Sequence, residues 1–370
     1  MGVFDKMAES GHEQVIFCYD RQTGMRAIIA IHDTALGPAR GGTRYRHYPS
    51  EDEALTDALR LARGMTYKFA FTDIARGGGK AVLLAPDPAD PAHAAIDKQV
   101  LLRTYGRFVE LLAGRFGTGP DLGTNARDMV EVARETRFVW ALDTAAGGTG
   151  DSGPLTACGV LAGMRALLDE VDGSPELAGR RVLVQGLGGV GWPLAELLVA
   201  QGAQVIGVDL DPARAKDAAE RLGIDLADDP DRALEQDCDL FSPNAVGGIL
   251  NQDTILRLRC RVVAGAANNQ LATPADGQRL HERGIVYAPD YVINSAAPYA
   301  VIGAGELGYP PERLEASVEQ VAWAVRLVVR RARAEGLPTS VVADRIAEER
   351  IAAAARARAL APGTGATTSP

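Results

Sequence analysis

The sequence contains no run of about 18 apolar residues, so it offers no candidate transmembrane helix. Cysteine is scarce. Cys18, Cys158, Cys238 and Cys260 are scattered without C-x-x-C spacing, which excludes a zinc ribbon or a disulfide framework and fits reduced thiols. The five histidines never fall four residues apart, so the paired zinc ligands of a metalloprotease helix are absent and no metal is expected. Positive charge is in deficit: 39 Lys and Arg stand against 48 Asp and Glu, for a net charge of −9. That balance argues against a nucleic-acid partner or an anionic membrane surface. The opening residues Met1-Gly2-Val3-Phe4-Asp5-Lys6 lack a basic region followed by an apolar stretch, so no secretory signal is expected and the protein is expected to be cytoplasmic.

Lysine is scarce, present only at positions 6, 68, 80, 98 and 216, so Arg carries most of the positive charge. Arg does not lose its proton in a protein, whereas a buried Lys amine shifts toward neutrality. A Lys inside a glycine-rich segment of this Arg-biased chain is therefore a candidate for proton chemistry. Lys80 fits that description, at the end of Gly77-Gly-Gly-Lys80. Lys6, Lys98 and Lys216 read as ordinary surface charges.

What is present is an average globular composition, 46% hydrophobic and 24% charged over 370 residues, which suggests two domains. Gln14–Tyr19 and Met25–His32 are β-rich runs joined by a hairpin signal at Asp20–Gly24, and residues 41–45 read as a further strand. Ser50-Glu-Asp-Glu53 is a capping box for an amphipathic helix reaching about Lys68. Residues 81–84 read as a buried strand, 92–113 as a helix and 117–124 as a loop, with Asn125 capping the next helix. The Gly-, Ala- and Thr-rich stretch 141–155 is the best domain boundary. Beyond it, apolar runs at 182–185, 205–209, 239–242, 262–265 and 286–288 alternate with helical patterns, the signature of a doubly wound parallel sheet. Two long helices are expected at 311–335 and 339–358, and a flexible tail at 359–370. The fold class is α/β, with a cleft between an N-terminal α/β domain and a Rossmann domain.

The strand 182–185 runs directly into Gly186-Leu187-Gly188-Gly189-Val190-Gly191, then into a helix, and Asp209 closes the next strand. This context makes the glycine pattern a dinucleotide fingerprint. Gly186 permits the tight turn, Gly188 lets backbone approach a pyrophosphate, and Gly191 lets helix and strand pack closely. The helix N-terminus offers unpaired N–H groups to phosphate. Asp209 can accept hydrogen bonds from a ribose 2′-hydroxyl and would repel a 2′-phosphate, with Asp211 adding to the repulsion, so NAD is the expected cofactor.

Lys68, Lys80 and Asp121 form the other candidate set. Oxidative deamination of an amino acid needs a base to activate water against an iminium and a cation to hold the α-carboxylate, and a Lys of depressed pKa can be that base. Taken singly, Lys68 also reads as a charge favourable to a helix C-terminus and Asp121 as a turn former.

The stretches Ala27–Arg44, Gly64-Met-Thr-Tyr-Lys68, Gly77–Lys80, Gly119-Pro-Asp121, the fingerprint, Val263–Gln270, Tyr287–Asn294 and Ala343–Arg350 together carry a resemblance that covers all but about the last dozen residues. The chain resembles the glutamate/leucine/phenylalanine/valine dehydrogenase family, specifically its shorter leucine, phenylalanine and valine branch. The resemblance implies Lys80 as catalytic base, Asp121 as its partner in proton transfer and Lys68 as the holder of the α-carboxylate. It places Gly41 and Gly42 along the substrate, Asn268 between substrate and nicotinamide ribose, Ser152 and Thr156 at the nicotinamide, Ala245 and Val246 on the dinucleotide, and Arg44 on the cofactor side of the cleft. It implies a homo-oligomer assembled through the N-terminal domain, and a cleft that closes over amino acid, 2-oxo acid and ammonia. It also implies C-terminal helices (about 338–358) that pack back onto residues 1–145, leaving 146–337 as the dinucleotide domain.

Two departures bear on substrate. Arg40 stands where the branch typically has an apolar residue, and Asn294-Ser-Ala-Ala-Pro-Tyr299 replaces a glycine pair; both are expected near the side-chain pocket. The leading expectation is an apolar or aromatic amino acid. The alternatives are an acidic or polar substrate held by Arg40, and a dinucleotide-binding sensor without chemistry.

Overall fold

The computed structural model describes residues 2–87, 97–227 and 229–360. The first half runs α1 (Val3–Ser10), β1 (Gln14–Tyr19), β2 (Arg26–Asp33), β3 (Ala39–Arg46), α2 (Glu51–Ala70), β4 (Gly77–Leu84), α3 (Lys98–Leu111), β5 (Phe116–Pro120) and α4 (Ala126–Ala133). Its five strands order as β1-β2-β4-β3-β5, with β1 and β4 antiparallel to β2 and with β3 parallel to both β4 and β5. Alternation along the strands separates two faces. Ile29, Ile31, Ala81 and Leu83 pack toward α3 and α4, while Ile28, Ala30 and Val82 receive Ala54, Leu55, Ala58, Leu59 and Ala62 of α2. α2 starts where Ser50 Oγ accepts the amide of Glu53.

The second half runs α5 (Gly153–Asp172), β6 (Arg181–Gln185), α6 (Gly191–Ala200), β7 (Gln204–Val208), α7 (Pro212–Leu222), β8 (Asp225–Leu226), β9 (Leu240–Pro243), α8 (Gln252–Arg257), β10 (Val262–Val263), α9 (Pro274–Glu282), β11 (Val286–Tyr287), α10 (Asp290–Ile293), α11 (Pro311–Glu335) and α12 (Thr339–Leu360). All six strands are parallel, in the order β11-β10-β9-β6-β7-β8. The chain moves one way from β6 to β7 and the other way to β9, so the ends of β6 and β9 form the switch-point crevice where doubly wound sheets bind ligands. α5 and α11 bury Val160, Met164, Val321 and Val325 against each other, and α12 adds Val342 and Ile346 to the same core. α12 also reaches the first half: Glu348 accepts from Tyr67 of α2, Asp344 pairs with Arg63, and Arg350 donates to the Ala70 carbonyl.

Several elements differ from expectation. Residues 116–120 form a strand where a loop is expected, because Gly117 and Gly119 leave room for the Trp140 ring. α3 begins at Lys98, and the earlier part of the expected 92–113 helix lies partly outside the described residues. α5 begins inside the glycine-rich boundary, with Pro154 in its first turn. α12 continues to Leu360, so the first two residues of the expected tail are helical; the rest of that tail lies outside the described residues. No helix among the described residues is long and apolar enough to cross a membrane.

Candidate active site

The site forms where β3, β4 and β5 end beneath α2. A Cβ at Gly78 would overlap the backbone of Thr66, so glycine there lets β4 press against α2 and brings Lys80 toward Lys68. A Cβ at Gly42 would lie 2.6 Å from the Pro120 carbonyl oxygen and 2.9 Å from Asp121 Cβ, so glycine also admits Asp121 beside β3. The result is a buried relay. Lys80 Nζ stands 2.9 Å from Asp121 Oδ1, and the other Asp121 oxygen accepts from Arg44 Nε at 2.8 Å. Arg44 also pairs with Asp57 at 3.0 Å, and Tyr48 donates to that carboxylate. The Arg44 guanidinium is thus engaged by two carboxylates.

Lys68, on the last turn of α2, crosses the cleft: its Nζ donates to Asn268 Oδ1 at 3.2 Å. Asn294 Nδ2 donates to the same oxygen and to the Ala266 carbonyl, fixing the Asn268 amide. Asp290 accepts the backbone N–H of Asn269 at 2.7 Å and stands close enough to Lys68 to favour its charged form.

Burial sets the protonation of both amines. It lowers Lys68 to about 8, with Asp290 opposing and Lys80 assisting. Burial also lowers Lys80; Asp121 opposes this and Arg44 adds to it. Asp121 would be raised by burial, but Lys80 and Arg44 together hold it below the usual carboxylate range. Two lysines of depressed pKa facing one cavity, one of them bonded to a carboxylate, are the equipment for moving protons near neutrality.

The cavity between Lys68, Lys80, Asn268 and Asp290 measures about 20 Å³, room for a single water. An amino acid is several times larger, so the two halves must part for it to enter.

On the dinucleotide side, Gly186 has φ +85°, and a Cβ there would sit 2.8 Å from Ala245 Cβ. A Cβ at Gly191 would overlap the Gly186 carbonyl, whereas one at Gly188 meets nothing. The fingerprint loop thus packs tightly at both ends and opens at its middle, ahead of the α6 N-terminus, where Trp192 donates to the Gly188 carbonyl, Leu194 donates to the Val190 carbonyl and Pro193 carries no N–H. Val246 is exposed beside it. Ser152 precedes α5, whose first residue lies so close to Gly189 that a Cβ on Gly153 would overlap the Gly189 carbonyl; Thr156 is buried and donates back to the Ser152 carbonyl. The Gln185 side-chain oxygen is buried without a partner at the end of β6, and so is the Asn294 amide oxygen. An open glycine loop at the switch-point crevice fits a dinucleotide. Asp209 lies just past β7 and accepts the amides of Leu187 and Asp211, with Arg214 at 3.3 Å. The sequence reading missed Arg214 because its place beside Asp209 depends on the turn into α7.

Arg40 is only 5% exposed. Its Nε and Nη2 bind both oxygens of Glu306 at 3.0 and 2.7 Å, and Nη1 donates to the carbonyls of Ala39 and Gly114. The Trp140 ring lies 5.8 Å from the guanidinium carbon, and Arg76 also binds Glu306. Arg40, Trp140 and Glu306 line a second cavity of about 200 Å³. Residues 295–298, expected near a side-chain pocket, line neither cavity. Ser295 bonds to the Val292 carbonyl, and Ala296 faces Gly159 of α5.

The comparisons agree with this architecture. Residues 12–138 match the Glu/Leu/Phe/Val dehydrogenase dimerisation domain, and residues 147–212 the Glutamate/Leucine/Phenylalanine/Valine dehydrogenase domain. The chain is 45% identical to leucine dehydrogenase of Geobacillus stearothermophilus over 97% of its own length and 95% of the relative's. It is 44% identical to valine dehydrogenase of Streptomyces coelicolor over 94% of each chain. Among solved structures, L-tryptophan dehydrogenase from Nostoc punctiforme superposes with a TM-score of 0.78 at 40% identity, covering 95% of this chain and 99% of that one. With these matches spanning both halves, the chain belongs to the glutamate/leucine/phenylalanine/valine dehydrogenase family.

Proposed function

We propose that the protein catalyses the reversible, NAD-dependent oxidative deamination of an L-amino acid with an apolar side chain to the 2-oxo acid and ammonium. The relay Lys80–Asp121–Arg44, facing Lys68 and Asn268 across the cleft, carries this reading. The fingerprint Gly186–Gly191 would hold a dinucleotide, which would supply the hydride acceptor for Cα. Lys68 holds the α-carboxylate. Neutral Lys80 takes a proton from the water that adds to the iminium carbon, and Asp121 stabilises the ammonium form of Lys80 that results. That proton passes to nitrogen, and as the C–N bond breaks Lys80, neutral again, takes the carbinol hydroxyl proton, so the carbonyl forms, ammonia leaves and the proton follows it as ammonium. Gly41 and Gly42 line the substrate, and closure of residues 146–337 onto 1–145, with α12 bridging both, excludes bulk water.

Preference for an apolar side chain rests on Arg40. Its guanidinium is already bound by both oxygens of Glu306, so it offers no free cation to a substrate carboxylate. NAD over NADP rests on Asp209 and Asp211 at the adenosine end. Ser152 and Thr156 are assigned to the nicotinamide end of the crevice, and Ala245 and Val246 to the dinucleotide. The matched dimerisation domain supports a homo-oligomer built through the first half. The test is a screen of the L-amino acids for NADH formation, with NADP in parallel. Turnover of leucine, valine or an aromatic amino acid with NAD supports the proposal, and exclusive turnover of glutamate or aspartate contradicts it.

A further inference from the structure

The catalytic cavity is not isolated. A second cavity of about 650 Å³ opens at the β11 edge of the cleft, between α2 and α12, away from the β6–β7 side where the fingerprint lies. The two cavities share four lining residues: Gly64, Asn269, Asp290 and Tyr291. Three of them are fixed. Asn269 donates its amide to Asp290, and Tyr291 donates its hydroxyl to Asp344 and packs edge-on against Tyr67.

Gly64 is the exception. It lies in the interior of α2, where glycine costs about 1 kcal/mol relative to alanine. Its φ is not positive, so the backbone does not require glycine. Close packing does not require it either: a Cβ there would meet only Asn269 Oδ1, at an ordinary 3.8 Å. The missing side chain therefore leaves space in the wall between the two cavities.

We infer that this gap is a passage for ammonia, ammonium and water, separate from the cleft mouth through which the amino acid and 2-oxo acid pass. Deamination consumes one water and releases one ammonia at the buried cavity while the closed halves hold the larger reactants. The wall carries the Asp290 carboxylate and the Asn269 amide oxygen, acceptors suited to a small cationic donor. A 2-oxo acid is several times the size of the single water that the buried cavity holds, and it passes instead through the parted halves. The inference rests on the deamination reading above.

The test uses full-length enzyme in the amination direction, varying ammonium chloride and 4-methyl-2-oxopentanoate separately at saturating NADH. Gly64→Val fills the gap from within. Val341→Trp, at an exposed position lining the large cavity and remote from the relay, fills it from outside. Each is expected to raise the KM for ammonium about tenfold while changing the KM for the 2-oxo acid less than about twofold. If Gly64→Val does not fold, Val341→Trp decides alone. An unchanged ammonium KM, or a parallel rise in both KM values, overturns the passage. Wild-type enzyme inactive toward every amino acid overturns the deamination reading instead.

Discussion

Lys80 on β4 and Asp121 just past β5 are held 2.9 Å apart across the intervening β3, and Arg44 occupies the carboxylate oxygen that Lys80 leaves free. Asp121 thereby ties the charge of the amine to a fixed cation two bonds of the relay away. Burial pulls the Lys80 proton off, the carboxylate pulls it back, and the balance keeps the amine able to cycle.

Asp121→Asn removes the group that favours charged Lys80 and leaves Arg44 with Asp57 alone. Lys80 then falls further below its ordinary value. The deamination rate, which rises with pH as Lys80 loses its proton, keeps that direction, but its midpoint moves to lower pH. The maximal rate drops on the order of 10²-fold or more, the range for loss of a proton-transfer partner. A pH profile of kcat for both proteins checks the two effects together.

Glu306→Gln leaves the Arg40 guanidinium buried without a counter-charge, which costs about 3 kcal/mol. Arg40→Leu costs less, because Glu306 keeps Arg76. Denaturant unfolding of the two variants should rank them in that order. The freed cation in Glu306→Gln should also raise kcat/KM for glutamate relative to leucine, which steady-state assays on both substrates measure.

His12 and His32 form an edge-on pair with ring centroids 4.8 Å apart, tied to Leu59, Ser10 and Thr66. Burial depresses both, His12 to about 4 and His32 to about 3, with the neighbouring ring's charge also lowering His32. An unfolded chain takes up these protons near pH 6.5 and the folded chain does not. The pair's contribution is therefore present above pH 6.5 and lost as pH falls from 6.5 toward 4, by up to roughly 3 kcal/mol per ring. Tm measured across that window should fall steeply, and more gently in His12→Asn/His32→Asn.

Asp209→Ala removes the carboxylate beside the fingerprint and leaves Arg214 with Asp211 alone. NAD should bind more weakly, and NADP should gain, since a cation now faces its 2′-phosphate. Titration of both dinucleotides against wild type and variant tests this.

Much of the architecture was legible in sequence where a pattern runs long enough to have a period. The helix 51–70, the strands flanking the fingerprint and the two C-terminal helices follow from it. β8 spans two exposed residues, too short for any period to register, whereas the apolar runs at 262–265 and 286–288 announced β10 and β11. β5 reads as a loop because its glycines serve the Trp140 ring, a contact made only in the fold. Lys68, Lys80 and Asp121 stood out through residue scarcity and the resemblance. Their partners Asp57, Asp290 and Asn294 are common residue types without spacing of their own. Glu306 lies 266 positions from Arg40, and nothing local in the sequence announces that pair.

The central claim is that Lys80 is the base of an amino-acid dehydrogenase, and one substitution tests it most directly. In Lys80→Ala, single-turnover NADH formation from leucine and the Kd for NAD are measured on the same protein. The account predicts a loss of rate of at least about 10³-fold, with Kd for NAD within about twofold of wild type, because base and fingerprint lie in different halves of the chain. A variant that retains a tenth or more of the wild-type rate would contradict it.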